Sequence, residues 1–296
     1  MPLTQCTQLP SQSVVAITGR DARSFLQGQL SNDLLGLERH PGMLAAACNR
    51  QGRVLATMRL AADGDDVLLV LHRKLARTLI AQIAAYVLRS DVRFEDRSNR
   101  VCVAGLLDAE PDAHWSQAAA AAAGLAMMVA SPRRILLAGS RQALDTALAA
   151  VARTTPEEWD RACIADGEPS IQPETAALWL PQMLNLDLIS GVSFSKGCYV
   201  GQEIVARSQH IGRIKRRMLR YVGPPGAALQ PAQALFSGET LAAQVVTTAH
   251  DGNATHCLAV VDLRFCSDLL GAKPGGSEFV PADLPYAIPA PATNGD

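Results

Sequence analysis

The chain has 296 residues, 48% hydrophobic and 19% charged, with a net charge of −1 at pH 7. These values exclude a disordered polyelectrolyte and a protein that binds polyanions over its whole surface. They leave room for more than one core, since single cores stop growing at about 250–300 residues.

The seven cysteines are odd in number, scattered from Cys6 to Cys266, and never form a Cys-x-x-Cys pair. That pattern argues against a disulfide scaffold and for a reducing, cytoplasmic setting. Residues 1–5 show no basic region and no apolar stretch of the kind a signal peptide carries. No apolar run approaches the ~18 residues needed to cross a bilayer, so no membrane is expected as a partner. The six histidines fall at no metal-ligand spacing, and no metal site is expected.

In chain order, residues 14–17 read as a short buried strand. Asp21 can cap a helix running to about residue 32, with Ala22, Phe25, Leu26 and Leu30 on one face and Gly28 inside it. Residues 43–48 and 53–60 form a strand pair around the turn Asn49-Arg50-Gln51-Gly52, and residues 67–71 a third strand. Leu75, Leu79, Ile83 and Val87 have helical spacing, and residues 92–94 return as a strand. A second run of strand, helix, two strands and helix over residues 101–152 loosely echoes the first and suggests a duplication. Residues 157–165 read as a helix carrying Trp159. Residues 168–195 are irregular and rich in Pro and Gly, a length of loop that compact domains keep mainly for function. After Met218, short strands alternate with Gly/Pro turns, and the tail after Leu284 is expected to fray.

The irregular segment leads into Lys196-Gly197-Cys198-Tyr199-Val200-Gly201-Gln202-Glu203. Two glycines bracket a cysteine, and glycine permits positive φ and close backbone approach. A lysine two residues from a thiol favours thiolate. Gln202 offers a donor and an acceptor, Glu203 a carboxylate, and Tyr199 a ring that can stack. The mixture suits a loop that reads a heterocycle or presents a reactive thiol; the plainer alternative is a glycine turn around a buried structural cysteine. The basic run Arg213, Lys215, Arg216, Arg217 and Arg220 could hold phosphates or a poly-acidic tail, or could simply protect a strand edge.

Residues 180–187, 191–207 and 212–218, read together, resemble the YgfZ family of folate-binding proteins, relatives of the glycine-cleavage aminomethyltransferase. The Lys-Gly-Cys-Tyr-x-Gly-Gln-Glu octapeptide carries most of the likeness. Phe25-Leu26-Gln27-Gly28-Gln29-Leu30-Ser31-Asn32-Asp33, the hairpin Cys48-Asn49-Arg50-Gln51-Gly52-Arg53 and Leu284-Pro285-Tyr286 add to it. The resemblance implies an α+β fold of two related ferredoxin-like lobes around a central opening, residues 1–97 and 98–212, followed by a C-terminal β-barrel over 213–296. It also implies a non-covalently bound tetrahydrofolate or related folate, and a role in maintaining iron–sulfur client enzymes, including one that modifies tRNA. By the same resemblance Cys198 is the functional thiol, assisted by Lys196. Trp159, Tyr199, Gln202, Glu203, Gln27, Asn32, Asp33 and Arg207 would bind folate.

Three positions depart from the family pattern. Leu55-Ala56-Thr57 stands where the aminomethyltransferases place a catalytic aspartate. Ala165 stands where relatives often have a pterin-anchoring glutamate, with Asp166 one position along. A second family tryptophan has no counterpart among residues 11–15. The expected function is therefore a folate-binding accessory factor for iron–sulfur enzymes. A folate-dependent aminomethyl transferase is the first alternative and an RNA-binding module the second; direct nucleic-acid binding is not expected, because the chain is neutral and poor in aromatics.

Overall fold

The structure, a computed structural model, describes residues 3–112, 114–210, 214–276 and 278–289. Strands β1 (Gln5–Gln8) and β2 (Gln12–Thr18) lead into helix α1 (Ala22–Gln27). Strands β3 (Met43–Cys48), β4 (Val54–Asp63) and β5 (Asp66–His72) follow, then helix α2 (Arg73–Ala84) and β6 (Arg93–Asp96). The chain continues through β7 (Cys102–Leu107), α3 (Gln117–Ala122), β8 (Leu125–Ser131), β9 (Arg134–Gly139), α4 (Arg141–Ala147), β10 (Ala152–Arg153) and α5 (Pro156–Ala165). Between α5 and α6 (Gln202–His210) the described residues hold only two short 3-10 turns, Pro173–Thr175 and Pro181–Leu184. Strands β11 (Arg216–Gly223), β12 (Ala234–Ser237), β13 (Thr240–His250), β14 (Thr255–Asp262) and β15 (Val280–Ala282) complete the fold.

Three five-stranded sheets result, with strand orders β3-β4-β5-β2-β6, β10-β1-β7-β9-β8 and β12-β13-β14-β11-β15. The first two share a pattern: a hairpin (β4-β5, β8-β9) whose second strand pairs with the strand that opens the unit (β2, β7). The echo read in the sequence is thus present in the topology. N-terminal β1 does not join the first sheet; it pairs with β7 and β10 in the second.

Period-two patterning builds the first sheet. Val54, Ala56, Met58 and Leu60 of β4 are buried in the core, while Leu55, Thr57 and Arg59 between them are only partly buried. Leu75, Leu79 and Ile83 of α2 lie on the same core at helical spacing.

The structure corrects two expectations and divides a third motif. Helix α1 ends at Gln27, five residues short of the expected limit, and Gly28 caps it rather than lying inside it. Ser31 and Asn32 are drawn out of any helix: Ser31 N–H donates to Ala46 O, and Asn32 Nδ2 donates to Leu44 O and Ser190 O at 2.7 Å each. The C-terminal barrel is instead an open sheet among the described residues. Its edge strands β12 and β15 are linked only through the single-residue bridges Phe236–Gly271 and Leu270–Phe279. The chain at 270–271 runs at once into Lys273-Pro274-Gly275-Gly276, a turn sequence that stops a further strand, and Pro281 lacks an N–H for the outer edge of β15.

The basic run is split between surface and interior. Arg217 on β11 is buried and makes a two-pronged ion pair with Asp187, at 2.6 and 3.0 Å, while also donating to Gln182 O. Lys215 and Arg216 are exposed, and Arg213 lies outside the described residues. No helix of the described residues is long and apolar enough to cross a membrane.

Candidate functional site: a thiol loop and a tryptophan cleft

The octapeptide is fastened at one buried point. Lys196 is only 7% exposed, and its Nζ donates to three backbone carbonyls, those of Gln27 (2.6 Å), Leu30 (2.7 Å) and Asn32 (2.9 Å). Those oxygens lie at and just beyond the C-terminus of α1, where carbonyls lack helical partners and favour a cation. All three ammonium hydrogens therefore find acceptors. Burial lowers Lys196 to about 8, opposed by the nearby Asp33 carboxylate.

The rest of the loop alternates around this anchor. Tyr199 is buried, with its ring centre 5.1 Å from Lys196 Nζ, and burial pushes its phenol up. Val200 N–H donates to Gly28 O at 3.3 Å. Gly201 has φ +82°, and a Cβ there would overlap the carbonyl of Asn49, so only glycine lets α6 start against the hairpin. Gln202 closes the turn: its Oε1 accepts the Tyr199 N–H, and its own N–H donates to Tyr199 O, both at 3.1 Å. Gly197 and Cys198, between the two anchors, are exposed. The result is a thiol held outward on a loop fixed on either side. Glu203 and Arg207 are exposed on the first turns of α6.

Gln27, Asn32 and Asp33 belong to the same knot, with their polar atoms turned inward. Gln27 Nε2 donates to Asp33 Oδ1 (2.9 Å), and Gln27 Oε1 accepts the Leu34 N–H (2.8 Å). Asp33 also accepts the Leu35 N–H, which with Gln27 and Lys196 holds its carboxyl below the usual range. The octapeptide and the 25–33 motif thus meet in one place.

Trp159 lies elsewhere. It is buried on α5, with its ring against Gly105 and the Arg134 guanidinium 5.0 Å from the ring centre. It lines a cleft between the first sheet and α5, together with Thr57, Arg59, His72, Cys163 and Glu168; no octapeptide residue lines it. Glu168 is central there. Burial alone would raise its pKa, but Arg59 (2.7 Å) and Arg134 (2.6 Å) overcome that and hold it down at about 2. Arg134 also bonds Asp166 at 2.5 Å and the Cys163 sulfur at 2.9 Å. Asp166, the carboxylate nearest to the departed anchor position, is therefore engaged. At the position of the aminomethyltransferase aspartate, Ala56 is buried and the Thr57 hydroxyl donates to Pro169 O at 3.1 Å.

Sequence reading missed Arg59, Arg134 and Glu168. The cavity at this cleft measures about 60 Å³, room for roughly two waters. As folded, it does not admit a bicyclic heterocycle.

No family model matches the chain. It is 29% identical over 227 residues to the tRNA-modifying protein YgfZ of Vibrio atlanticus (strain LGP32), covering 74% of this chain and 69% of that one. Against the protein of the same name from Serratia proteamaculans (strain 568), identity is 27% over 310 aligned positions, covering 97% and 94%. The chain is thus similar, over most of its length, to proteins named tRNA-modifying protein YgfZ. Among solved structures, the glycine cleavage system aminomethyltransferase T from Bartonella henselae superposes with a TM-score of 0.71. That match covers 94% of this chain and 84% of that one at 14% identity, and so speaks for fold alone.

The knot and the cleft each generate a prediction. Lys196→Met keeps the apolar stem but leaves three carbonyls, that of Leu30 buried and those of Gln27 and Asn32 partly so, without this donor. It is expected to destabilise the protein by roughly 2–4 kcal/mol in urea unfolding and to speed amide exchange across residues 196–200. Unchanged exchange there would mean that the loop is held by other contacts. The Glu168 carboxyl is depressed in the folded state, so its contribution is full above its ordinary value near 4.5 and is lost as pH falls through about 2. Glu168→Gln should be less stable than wild type at pH 7, and its stability should change less than that of wild type between pH 4.5 and 2, as read by thermal melts.

Proposed function

We propose that this protein is an accessory factor for iron–sulfur enzymes, tRNA-modifying ones included, that acts through the Cys198 thiol and binds a tetrahydrofolate. One observation carries the thiol half: Lys196 and Tyr199 are driven inward, which leaves Cys198 outward on a loop that does not need it for packing. A buried structural cysteine would have the reverse arrangement. Among the described residues no group of three or more His, Cys, Asp and Glu side chains is placed to hold a metal ion. An iron–sulfur cluster takes about four ligands, so Cys198 would act on a cluster that a client largely holds itself. The name shared by the homologues, tRNA-modifying protein, supports the choice of client.

The folate half rests on the aminomethyltransferase-like fold and on Trp159 in the cleft between lobes. Binding there requires the cleft to open beyond its 60 Å³, with α5 or the Glu168 segment giving way. Anaerobic calorimetry with tetrahydrofolate tests this directly. Micromolar binding that Trp159→Ala abolishes is the expected result; no heat from the wild-type protein would remove folate from the reading.

The thiol half is tested apart from it. In cells lacking the gene, Cys198→Ser is expected to leave iron–sulfur enzyme activities as low as in the empty deletion. Full rescue by that variant would sink the thiol role.

A further inference from the structure

A second cleft opens on the other side of the thiol knot. Its walls are Gln29, the hairpin from Cys48 to Gln51, Ile83 and Tyr86 at the end of α2, and Val200 of the octapeptide. Its volume is about 360 Å³, six times that of the tryptophan cleft and within the ~300–1,000 Å³ range of small-ligand sites; the two share no lining residue.

Two polar groups make it more than a groove. Gln29 is 9% exposed, yet its amide makes no hydrogen bond with any described residue. Within the same motif Gln27, Asn32 and Asp33 all have their polar atoms engaged by protein. An amide that lines a cavity with no protein partner is free to bond a ligand there in place of water. Arg50, at the hairpin tip, is exposed and forms no ion pair with a described residue. Leu55, Ile83, Val200 and the half-open ring of Tyr86 give the cleft an apolar share of its wall, beside the polar Asn49, Gln51 and Gln82.

We propose that this cleft binds a small aromatic carboxylate. Its ring lies between Tyr86 and the aliphatic wall, its polar edge bonds the Gln29 amide, and its carboxylate pairs with Arg50. A planar guanidinium and a carboxylate match in two-pronged geometry, and a flat apolar body suits a cleft lined this way. The site is independent of the folate and thiol readings.

The probe is benzoate, with benzamide and inorganic phosphate as comparisons, followed by NMR titration of the full chain. Benzoate is expected to bind saturably, at millimolar dissociation constant or tighter, shifting signals of Ile83, Tyr86 and Val200. Benzamide and phosphate should each bind at least tenfold more weakly. Arg50→Ala and Gln29→Leu should each weaken benzoate at least fivefold, while Trp159→Ala leaves it unchanged. Gln29→Leu is checked by its melting curve; if it fails to fold, Arg50→Ala at the exposed tip decides alone. Absence of saturable shifts at those three residues, or equal benzoate affinity in Arg50→Ala, overturns the proposal, leaving a cleft in which water meets Gln29. Phosphate binding as tightly as benzoate overturns the aromatic part.

Discussion

A buried ammonium ringed by three backbone carbonyls holds this molecule's most distinctive loop. Removing a lysine head from water is costly unless its hydrogens find acceptors. Here the acceptors are the carbonyls of Gln27, Leu30 and Asn32, freed because α1 stops at Gln27. It stops there because Ser31 and Asn32 are bonded across to β3 and to the 190–191 segment. The shortened helix and the lysine socket are one arrangement. Cys198 stays exposed between Lys196 and Tyr199, both of which are buried.

Much of the fold was legible because it rests on local periodicity. Strands β3, β4 and β5 and helix α2 lie where apolar runs, turns and the 3.6 period put them, and the repeated unit shows in the matching three-strand orders β4-β5-β2 and β8-β9-β7. The end of α1 was not legible, because what ends it is contact with residues about 160 positions away in the chain. The open third sheet was not legible: the alternation of short strands and turns after Met218 marks an all-β unit, but closure depends on pairing between its distant edge strands. Alternation also splits the basic run. Residues adjacent in a strand point to opposite sides, and Arg216 and Arg217 are adjacent, one exposed and one paired with Asp187 in the interior.

The site was legible as a place but not as a wiring diagram. The octapeptide and the 25–33 motif do meet. Residue type cannot say whether a glutamine serves a ligand or a neighbour, and Gln27 serves Asp33 while Gln29, two residues on, is left open. The Arg59–Glu168–Arg134 cluster was invisible for another reason. Its members are 34 to 109 positions apart, and each looks like an ordinary surface charge until the lobes close over it.

The thiol loop and the tryptophan cleft lie at the two ends of one irregular segment, which starts at Glu168 between two arginines and ends at Lys196 among three carbonyls. A continuous segment could carry motion from one end to the other, but this one is fastened along its length. Asn185 Nδ2 donates to Met218 O, Asp187 pairs with Arg217, Ser190 and Gly191 accept from Asn32 and Ser31, and Ser193 N–H donates to Ser31 O. A displacement of Glu168 large enough to admit a heterocycle meets each of these bonds before it reaches Lys196, and the two that are buried, Asn185 to Met218 and Ser31 to Gly191, are costly to break. Local opening of the cleft and the setting of the thiol are therefore separable. A change at the tryptophan cleft therefore leaves the presentation of Cys198 as it is.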